Sequence, residues 1–327
     1  MIITITKEAG AEGVQAFRLS RTFTIMATRL RTARKLLLGR EIEHMINTAG
    51  VSQHEAAKII ETSQSRIAML TNGASSITVG DLERLAIELG FTDCGYLEIL
   101  KELRRDNHKR GFWNSGYRRA YIEDLRLLVD LEAHASLLRV AEAEIMPGLI
   151  QCESYIRALH EPEQPGDREA GEAGKITVED SVQARRARQE ILLGPNPPEF
   201  RVILSESCLR REYGGHAVML EQLEHLLALS KRSTILIQVL PFTVTTYGAG
   251  MEDRFTLVRV PSPGAAGDLD MAIVESQGDI RYIDDKPAVT ARETVWSRLS
   301  AAALGAEDSR TFIEHIARSF RRKTFTA

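Results

Sequence analysis

The residues with the most distinctive chemistry in this sequence lie between positions 53 and 69. Gln64 carries an amide that can pair with adenine through two hydrogen bonds, and Met69 can touch a thymine methyl group. Ile67 and Leu70 take one face of the same helix, which leaves Ser63, Gln64, Ser65 and Met69 on the outer side near its start, with Arg66 at its flank. Gln53 opens the preceding helix. Such a set can read base edges and bind phosphates. The candidates are Gln53, Ser63, Gln64, Ser65, Arg66 and Met69; Gln64 ranks first, and Gln53 and Arg66 suit phosphates.

Two short helices are needed to position these side chains. Ser52 and Glu55 form a capping-box pattern, which predicts that a helix begins at Gln53. Ala57 is small where a second helix must pack closely, and Ile67 follows it by ten residues. This spacing predicts a helix-turn-helix, in which one helix braces across the phosphates and the next lies in the major groove.

From Arg29 to His108, apolar residues recur at helical spacing in short blocks, which predicts several short helices around this pair. Gly50 supplies a helix stop, and Thr78 with Asp81 repeats the capping pattern. We therefore predict an all-α DNA-binding domain of about five helices at residues 26–110.

Residues 111–327 have a different pattern, which predicts a larger α+β domain with a mainly antiparallel sheet. Five segments rich in β-branched residues are strand candidates. They are residues 200–205, 234–240, 254–260, 271–275 and 280–283. Helical patterns are predicted at about 117–159 with a break at Pro147 and Gly148, around Arg185, at 217–229 and at 289–320, and an exposed loop is predicted at 161–174.

Composition narrows the class of protein. The chain has 327 residues, a net charge of −3 and three cysteines that form no CxxC pair, so neither a disulfide framework nor a zinc site is indicated. Residues 26–110 hold 13 Lys and Arg against 11 Asp and Glu, whereas residues 111–327 hold 26 against 32. Charged residues interrupt every apolar run in residues 1–25, so we predict no membrane segment there and interpret these residues as a flexible extension or the result of an upstream start. A cytoplasmic location fits best.

Residues 51–73, VSQHEAAKIIETSQSRIAMLTNG, resemble the XRE (lambda-repressor-like) family of helix-turn-helix regulators. The resemblance covers about 60 to 70 residues. Glu61 stands where the family usually has glycine, at the turn between the two helices, and Thr71 stands where an acidic residue is common. A non-glycine residue with positive φ costs about 1 kcal/mol, so we expect a strained or differently shaped turn.

Residues 142–159, EAEIMPGLIQCESYIRAL, resemble a segment of a C-terminal domain of unknown function found in actinomycete regulators. Further pieces match in the same order, and together they cover most of residues 110–320. They are RRARQE at 185–190, LRREYGG at 209–215, MLEQLEHLL at 219–227 and IQVLPF at 237–242. The combination is similar to WhiJ-type, antitoxin-like regulators of Streptomyces and relatives. The resemblance implies control of development or secondary metabolism, often beside a gene for a small partner protein.

Catalytic and metal-binding patterns are weak in the second domain. Glu142 and Glu144 are interpreted as two solvated acids on a helix, since residues two apart point away from each other. No acidic or thiol residue lies at metal-ligand spacing from His216 or His225. Residues 247–250 are interpreted as a turn. Arg185, Arg186 and Arg188 could clamp an anion or ligand, but a solvated helix face is favoured. We expect no enzyme, metal or cofactor, and no residue identifies a ligand site.

Two functions stay open at this stage. The first is a homodimeric transcription factor on a pseudo-palindromic operator in double-stranded DNA, with residues 111–327 serving dimerisation and sensing of a small-molecule effector or partner. The second is an antitoxin-type protein that binds a small partner protein and regulates its own operon. Neither function involves a membrane.

Overall fold

The computed structural model describes residues 31–106, 121, 124–161, 177–244, 254–276 and 279–324. The first of these ranges holds five helices, in agreement with the predicted all-α domain. They are α1 (Ala33–Ala49), α2 (Gln53–Ile59), α3 (Gln64–Thr71), α4 (Val79–Glu88) and α5 (Cys94–Asp106). The predicted extension at 1–25 lies outside the described residues.

Local capping accounts for the helix ends. The Ser52 hydroxyl accepts from the Glu55 N–H, and the Glu55 carboxylate accepts from the Ser52 N–H at 2.7 Å, so the predicted capping box is present. Thr78 caps α4 with only one of the two hydrogen bonds of a capping box: its hydroxyl accepts from the Asp81 N–H. The Asp81 carboxylate accepts from the Thr78 hydroxyl. Gly50 ends α1 in the left-handed conformation at φ 68°, as predicted.

The second part of the chain combines a sheet with helices around it. Its helices are α6 (Leu125–His134), α7 (Glu153–His160), α8 (Val178–Gln189), α9 (Glu206–Arg210), α10 (Gly215–Leu229), α11 (Lys286–Ala302) and α12 (Ala306–Thr324). Its strands are β1 (Leu137–Glu142), β2 (Glu199–Ser205), β3 (Ile235–Leu240), β4 (Arg254–Val260), β5 (Leu269–Ser276) and β6 (Asp279–Ile283). The strand order is β3-β2-β1-β4-β5-β6.

The sheet is mixed, with the antiparallel pairs in the majority. β1 runs parallel to β2 and β2 runs parallel to β3, while the pairs β1–β4, β4–β5 and β5–β6 are antiparallel. The predicted α+β class with a mainly antiparallel sheet is confirmed, and the five predicted strands are present with small shifts at their ends.

The prediction of a helical stretch at about 117–159, with a break at Pro147 and Gly148, is wrong at residues 137–142. Leu137–Glu142 forms β1, which lies in the interior of the sheet between β2 and β4. Leu, Ala and Glu in this segment are compatible with a helix, so its local pattern does not reveal a strand. Pairing with residues that lie more than 50 positions away decides the conformation.

The two faces of the sheet carry separate cores. On one face Ala141, Ile203 and Phe255 pack against Trp296 of α11. On the other face Leu138, Val140 and Phe200 belong to the large core, and helices α6 and α12 lie against strands β4 and β3. Because side chains alternate along a strand, Glu142 points to the same face as Val140.

The helical domain contacts the α+β domain through helix α1. The Ala33 N–H at the start of α1 donates to the buried carboxylate of Asp130 in α6, at 2.7 Å. The fully buried carboxylate of Glu41 accepts from the N–H groups of Ala265 and Ala266 at 3.0 and 3.1 Å. It also accepts from the Ser262 hydroxyl and from the Tyr96 hydroxyl of α5. We call this cluster the Glu41 junction.

Candidate nucleic-acid interface

Helices α2 and α3 form the predicted pair, and their contact is tight. Ala57 of α2 is 1% exposed, while Ile67 and Leu70 of α3 are 0% and 3% exposed. This burial leaves the start of α3 with its outer side toward solvent. The geometry is that of a helix whose N-terminal residues can enter a major groove.

The turn between the two helices contains the departure noted in the sequence. Glu61 has φ of 52° and is the one residue other than glycine with positive φ among the described residues. Its carboxylate accepts from Arg84 of α4 at 3.1 Å, an exposed ion pair. The turn thus keeps the left-handed conformation that suits glycine, and the predicted strain is present.

The six predicted contact residues lie together at the start of α2 and along α3. Their degree of exposure differs. Ser63, Gln64, Ser65 and Arg66 are exposed, whereas Gln53 and Met69 are half-buried. Gln64 lies at the first position of α3. Contact of these residues with DNA stays a prediction.

Ser63 has a structural task in addition to its predicted one. It is the N-cap of α3, and its hydroxyl accepts from the Arg66 N–H at 3.3 Å. The same hydroxyl lies 3.2 Å from the Ser65 hydroxyl. A cap of this kind stabilises a helix by about 1 kcal/mol, so replacement of Ser63 affects α3 as well as any base contact.

Two arginines hold the connection that follows α3. The Arg66 guanidinium donates to the carbonyl oxygen of Ser76 at 3.1 Å. The Arg104 guanidinium, from α5, donates to the carbonyl of Ile77 at 2.9 Å. Sequence reasoning did not find the role of Arg104, because its partner lies 27 positions away and no local pattern marks the pair.

The two acids of the second domain are not the solvated pair that the sequence suggested. Glu142 ends β1 and is 8% exposed, and burial raises its pKa to about 7. Glu144 is exposed and accepts from the Ser207 hydroxyl and the Arg211 guanidinium. The interpretation was wrong for Glu142, since that segment is a strand and the residue faces the interior.

The three arginines of α8 also differ in exposure and in their partners. Arg186 is exposed and pairs with Glu153 at 3.0 Å, as a solvated face requires. Arg188 is buried and donates to both carboxylate oxygens of Glu132, at 2.6 and 2.7 Å. Arg185 lines a cavity. The solvated interpretation is therefore wrong for Arg188 and does not describe Arg185.

Other candidate groups add no reactive site. His216 pairs with Glu212 at 2.6 Å, and burial lowers the pKa of His225. Among the described residues, no group of three or more His, Cys, Asp and Glu side chains could hold a metal ion. None of the helices in the described ranges has the length and apolar character needed to cross a membrane. The predicted turn at 247–250 and most of the predicted loop at 161–174 lie outside those ranges.

Comparisons with known proteins agree with this division of the chain. A family model described as a helix-turn-helix matches residues 44–97, which include α2, the turn and α3. A second model, described as a domain of unknown function (DUF5753), matches residues 125–315. Searches of curated proteins and of solved structures found no match.

Proposed function

The chain belongs to the family with the domain of unknown function DUF5753 and carries an XRE-type helix-turn-helix ahead of it, and we propose that it is a sequence-specific transcriptional regulator. The helix-turn-helix match supports DNA binding and regulation of transcription. The observation that carries sequence readout is the exposed start of α3, where Gln64 and Ser65 stand over a fully packed inner face.

The proposal includes a cytoplasmic homodimer on a pseudo-palindromic operator. Helix α3 has eight residues, and a helix of this length presents only three or four side chains to base edges. A second copy related by a twofold axis doubles the length of DNA that is read. The α+β domain would supply dimerisation and would sense a small molecule or a partner protein. We assign it no catalytic activity.

The resemblance to WhiJ-type regulators supports a finer proposal, that the target genes act in development or secondary metabolism. The antitoxin-type alternative makes the α+β domain the binding site of a small partner protein, with DNA binding serving regulation of the protein's own operon. Co-purification of one defined small protein from native cells, lost when residues 111–327 are removed, would favour that alternative.

The test is binding of the full chain to its own upstream DNA across a salt series. We expect Gln64→Ala to weaken specific binding by about 5- to 150-fold, the effect of one bidentate base contact. Arg66→Ala should weaken binding to all sequences and reduce the slope of log K against log salt by about 1. Gln183→Ala, an exposed glutamine on α8, is the matched control and should bind as wild type.

A different result would contradict sequence-specific DNA binding. If the wild type retains no specific DNA at moderate salt and Gln64→Ala behaves as Gln183→Ala does, the helical domain is a module for protein contacts. Far-UV circular dichroism and a thermal melt of each variant establish that the protein as a whole is still folded.

A further inference from the structure

A cavity that is partly open to solvent lies between the sheet and helices α6 and α8. Its volume is about 240 Å³. This is below the ~300 Å³ at which pockets for drug-sized ligands begin, so the cavity suits a small metabolite. Its floor is the face of the sheet that carries Val140, Glu142 and Phe200.

The wall of the cavity contains two ion pairs, and in each pair the two charges compensate each other. Arg188 and Glu132 form a buried bidentate pair, with nitrogen–oxygen distances of 2.6 and 2.7 Å. Arg254 and Glu275 lie 3.3 Å apart. These four residues line the cavity, but their charges are already compensated.

The other two ionisable groups of the wall, Arg185 and Glu142, form no ion pair among the described residues. Within the described ranges, Arg185 has no carboxylate at ion-pair distance. Glu142 is 8% exposed and accepts from the adjacent Ala143 N–H at 3.2 Å. Gln151 is 2% exposed; its amide nitrogen donates to the Met146 carbonyl, while its amide oxygen is buried without a partner. Buried polar groups normally have partners, so the Gln151 amide oxygen marks a place for a ligand.

The position of Arg185 depends on a glycine. A Cβ atom on Gly148 would lie 2.3 Å from an Arg185 guanidinium nitrogen, so the guanidinium occupies the space that a side chain at 148 would fill. The neighbouring Gln189 amide donates to the carbonyls of Gly148 and Gln151, at 2.9 and 2.8 Å. These contacts fix the segment 148–151 against α8 and hold the cationic and acceptor groups in one wall.

We propose that this cavity binds a free α-amino acid with an apolar side chain. Arg185 binds the ligand carboxylate, because a guanidinium donates two parallel hydrogen bonds to that group. Glu142 and the Gln151 amide oxygen accept hydrogen bonds from the ligand ammonium group. Leu128, Val140 and Phe200 contact the apolar side chain.

The site is connected to the DNA-binding domain through one helix. Leu125, Leu128 and Glu132 of α6 line the cavity, and Asp130 of the same helix accepts from the Ala33 N–H at the start of α1. A ligand that moves α6 therefore changes the position of α1, against which α3 packs. This regulatory part rests on the proposed function, whereas ligand binding does not.

The experiment uses the full-length protein after extensive dialysis. Leucine, methionine and phenylalanine are the probes, with isocaproate and isoamylamine as leucine analogues that carry only one of the two charged groups. At a hundredfold excess over Kd we expect an amino acid to raise Tm by about 5 °C or more, and each analogue to have a smaller effect.

Variants locate the site by isothermal titration. Arg185→Gln should weaken amino-acid binding by about tenfold or more. Arg186→Gln is the matched control, since Arg186 is the next residue on α8 and pairs with Glu153 outside the cavity. If Arg185→Gln does not fold, Arg185→Lys retains the charge without the fork and should bind more weakly than wild type. The proposal is overturned if none of the three amino acids binds, or if the Arg185 variants bind as tightly as Arg186→Gln.

DNA binding measured with and without the amino acid separates this proposal from the previous one. Amino-acid binding without any DNA binding supports the site and contradicts the proposed regulator. DNA binding without amino-acid binding supports the proposed regulator and contradicts the amino-acid site.

Discussion

Glu61 is one of the two residues at which this helix-turn-helix departs from the pattern of the family that it resembles, and it lies in the turn. It holds φ of 52° where glycine would adopt that angle freely. Its exposed ion pair with Arg84 contributes little, because solvent screens both charges. The fold therefore tolerates local strain in the turn that positions α3.

We expect Glu61→Gly to raise the free energy of unfolding by about 0.5–1 kcal/mol. Relief of the left-handed strain contributes about 1–2 kcal/mol, and the greater freedom of glycine in the unfolded chain offsets part of it. Urea unfolding followed by circular dichroism measures the change. Glu61→Ala is the control, since it removes the ion pair but keeps the strain, and it should not stabilise the protein.

Glu142 predicts a dependence of stability on pH. Burial raises its pKa from the ordinary 4.5 to about 7. Between these values the unfolded chain loses the proton while the folded protein keeps it, so stability falls as pH rises through this window. The loss from this residue should be about 1–3 kcal/mol by pH 7.5.

The measurement compares wild type with Glu142→Gln at pH 5 and pH 7.5 by urea unfolding. Between pH 5 and pH 7.5 the free energy of unfolding should fall more in the wild type than in Glu142→Gln. An identical pH profile for both proteins would contradict a buried, protonated Glu142.

At the scale of elements, α1 organises the DNA-binding domain. It packs against α3 and α5; Thr32 is its N-cap, and the Asp130 carboxylate of α6 accepts from the Ala33 N–H at its start. Gly39 in its middle allows the closest approach: a Cβ atom there would lie 2.3 Å from the Thr71 carbonyl oxygen and 2.6 Å from that of Leu70. The C-terminal end of α3 thus rests directly on the backbone of α1.

We expect Gly39→Ala to destabilise the protein by about 1–3 kcal/mol and to weaken operator binding, because α3 must move to accommodate the methyl group. Gly80→Ala in the first turn of α4 is the matched control. A Cβ atom at Gly80 meets nothing within 4 Å, so that variant should be as stable as wild type or slightly more so. Equal thermal stability and DNA affinity of the two variants would refute the close approach.

At the scale of the whole molecule, the Glu41 junction ties the DNA-binding domain to the α+β domain. A carboxylate of α1 receives hydrogen bonds from the loop after β4 and from Tyr96 of α5. Buried donors that lose an acceptor cost about 1–3 kcal/mol each. The junction thus makes the orientation of the two domains part of the folded state.

We expect Glu41→Ala to lower the free energy of unfolding by at least about 2 kcal/mol and to split thermal unfolding into two transitions, one for each domain. Differential scanning calorimetry measures both effects. Glu43→Ala, an exposed acid on the same helix, serves as control and should keep the wild-type profile. A single unshifted transition in Glu41→Ala would show that the junction does not couple the domains.

Features that depend on neighbours within a few residues were predictable from the sequence. The Ser52 capping box, the Gly50 helix stop and the buried Ile67 and Leu70 follow from spacing alone. The strained turn at Glu61 was predictable once the glycine of the family pattern was known. In each case the partners are close in the chain, so short-range geometry fixes the outcome.

The sequence by itself determined the helix-turn-helix, its outward-facing residues and the α+β class of the second domain. Only the tertiary structure decided that Leu137–Glu142 is a strand, that Arg188 is buried against Glu132, and that Arg185, Glu142 and Gln151 share one cavity. The physical reason is that strand pairing and charge compensation join residues tens of positions apart. Their energies depend on burial, which a local pattern does not specify.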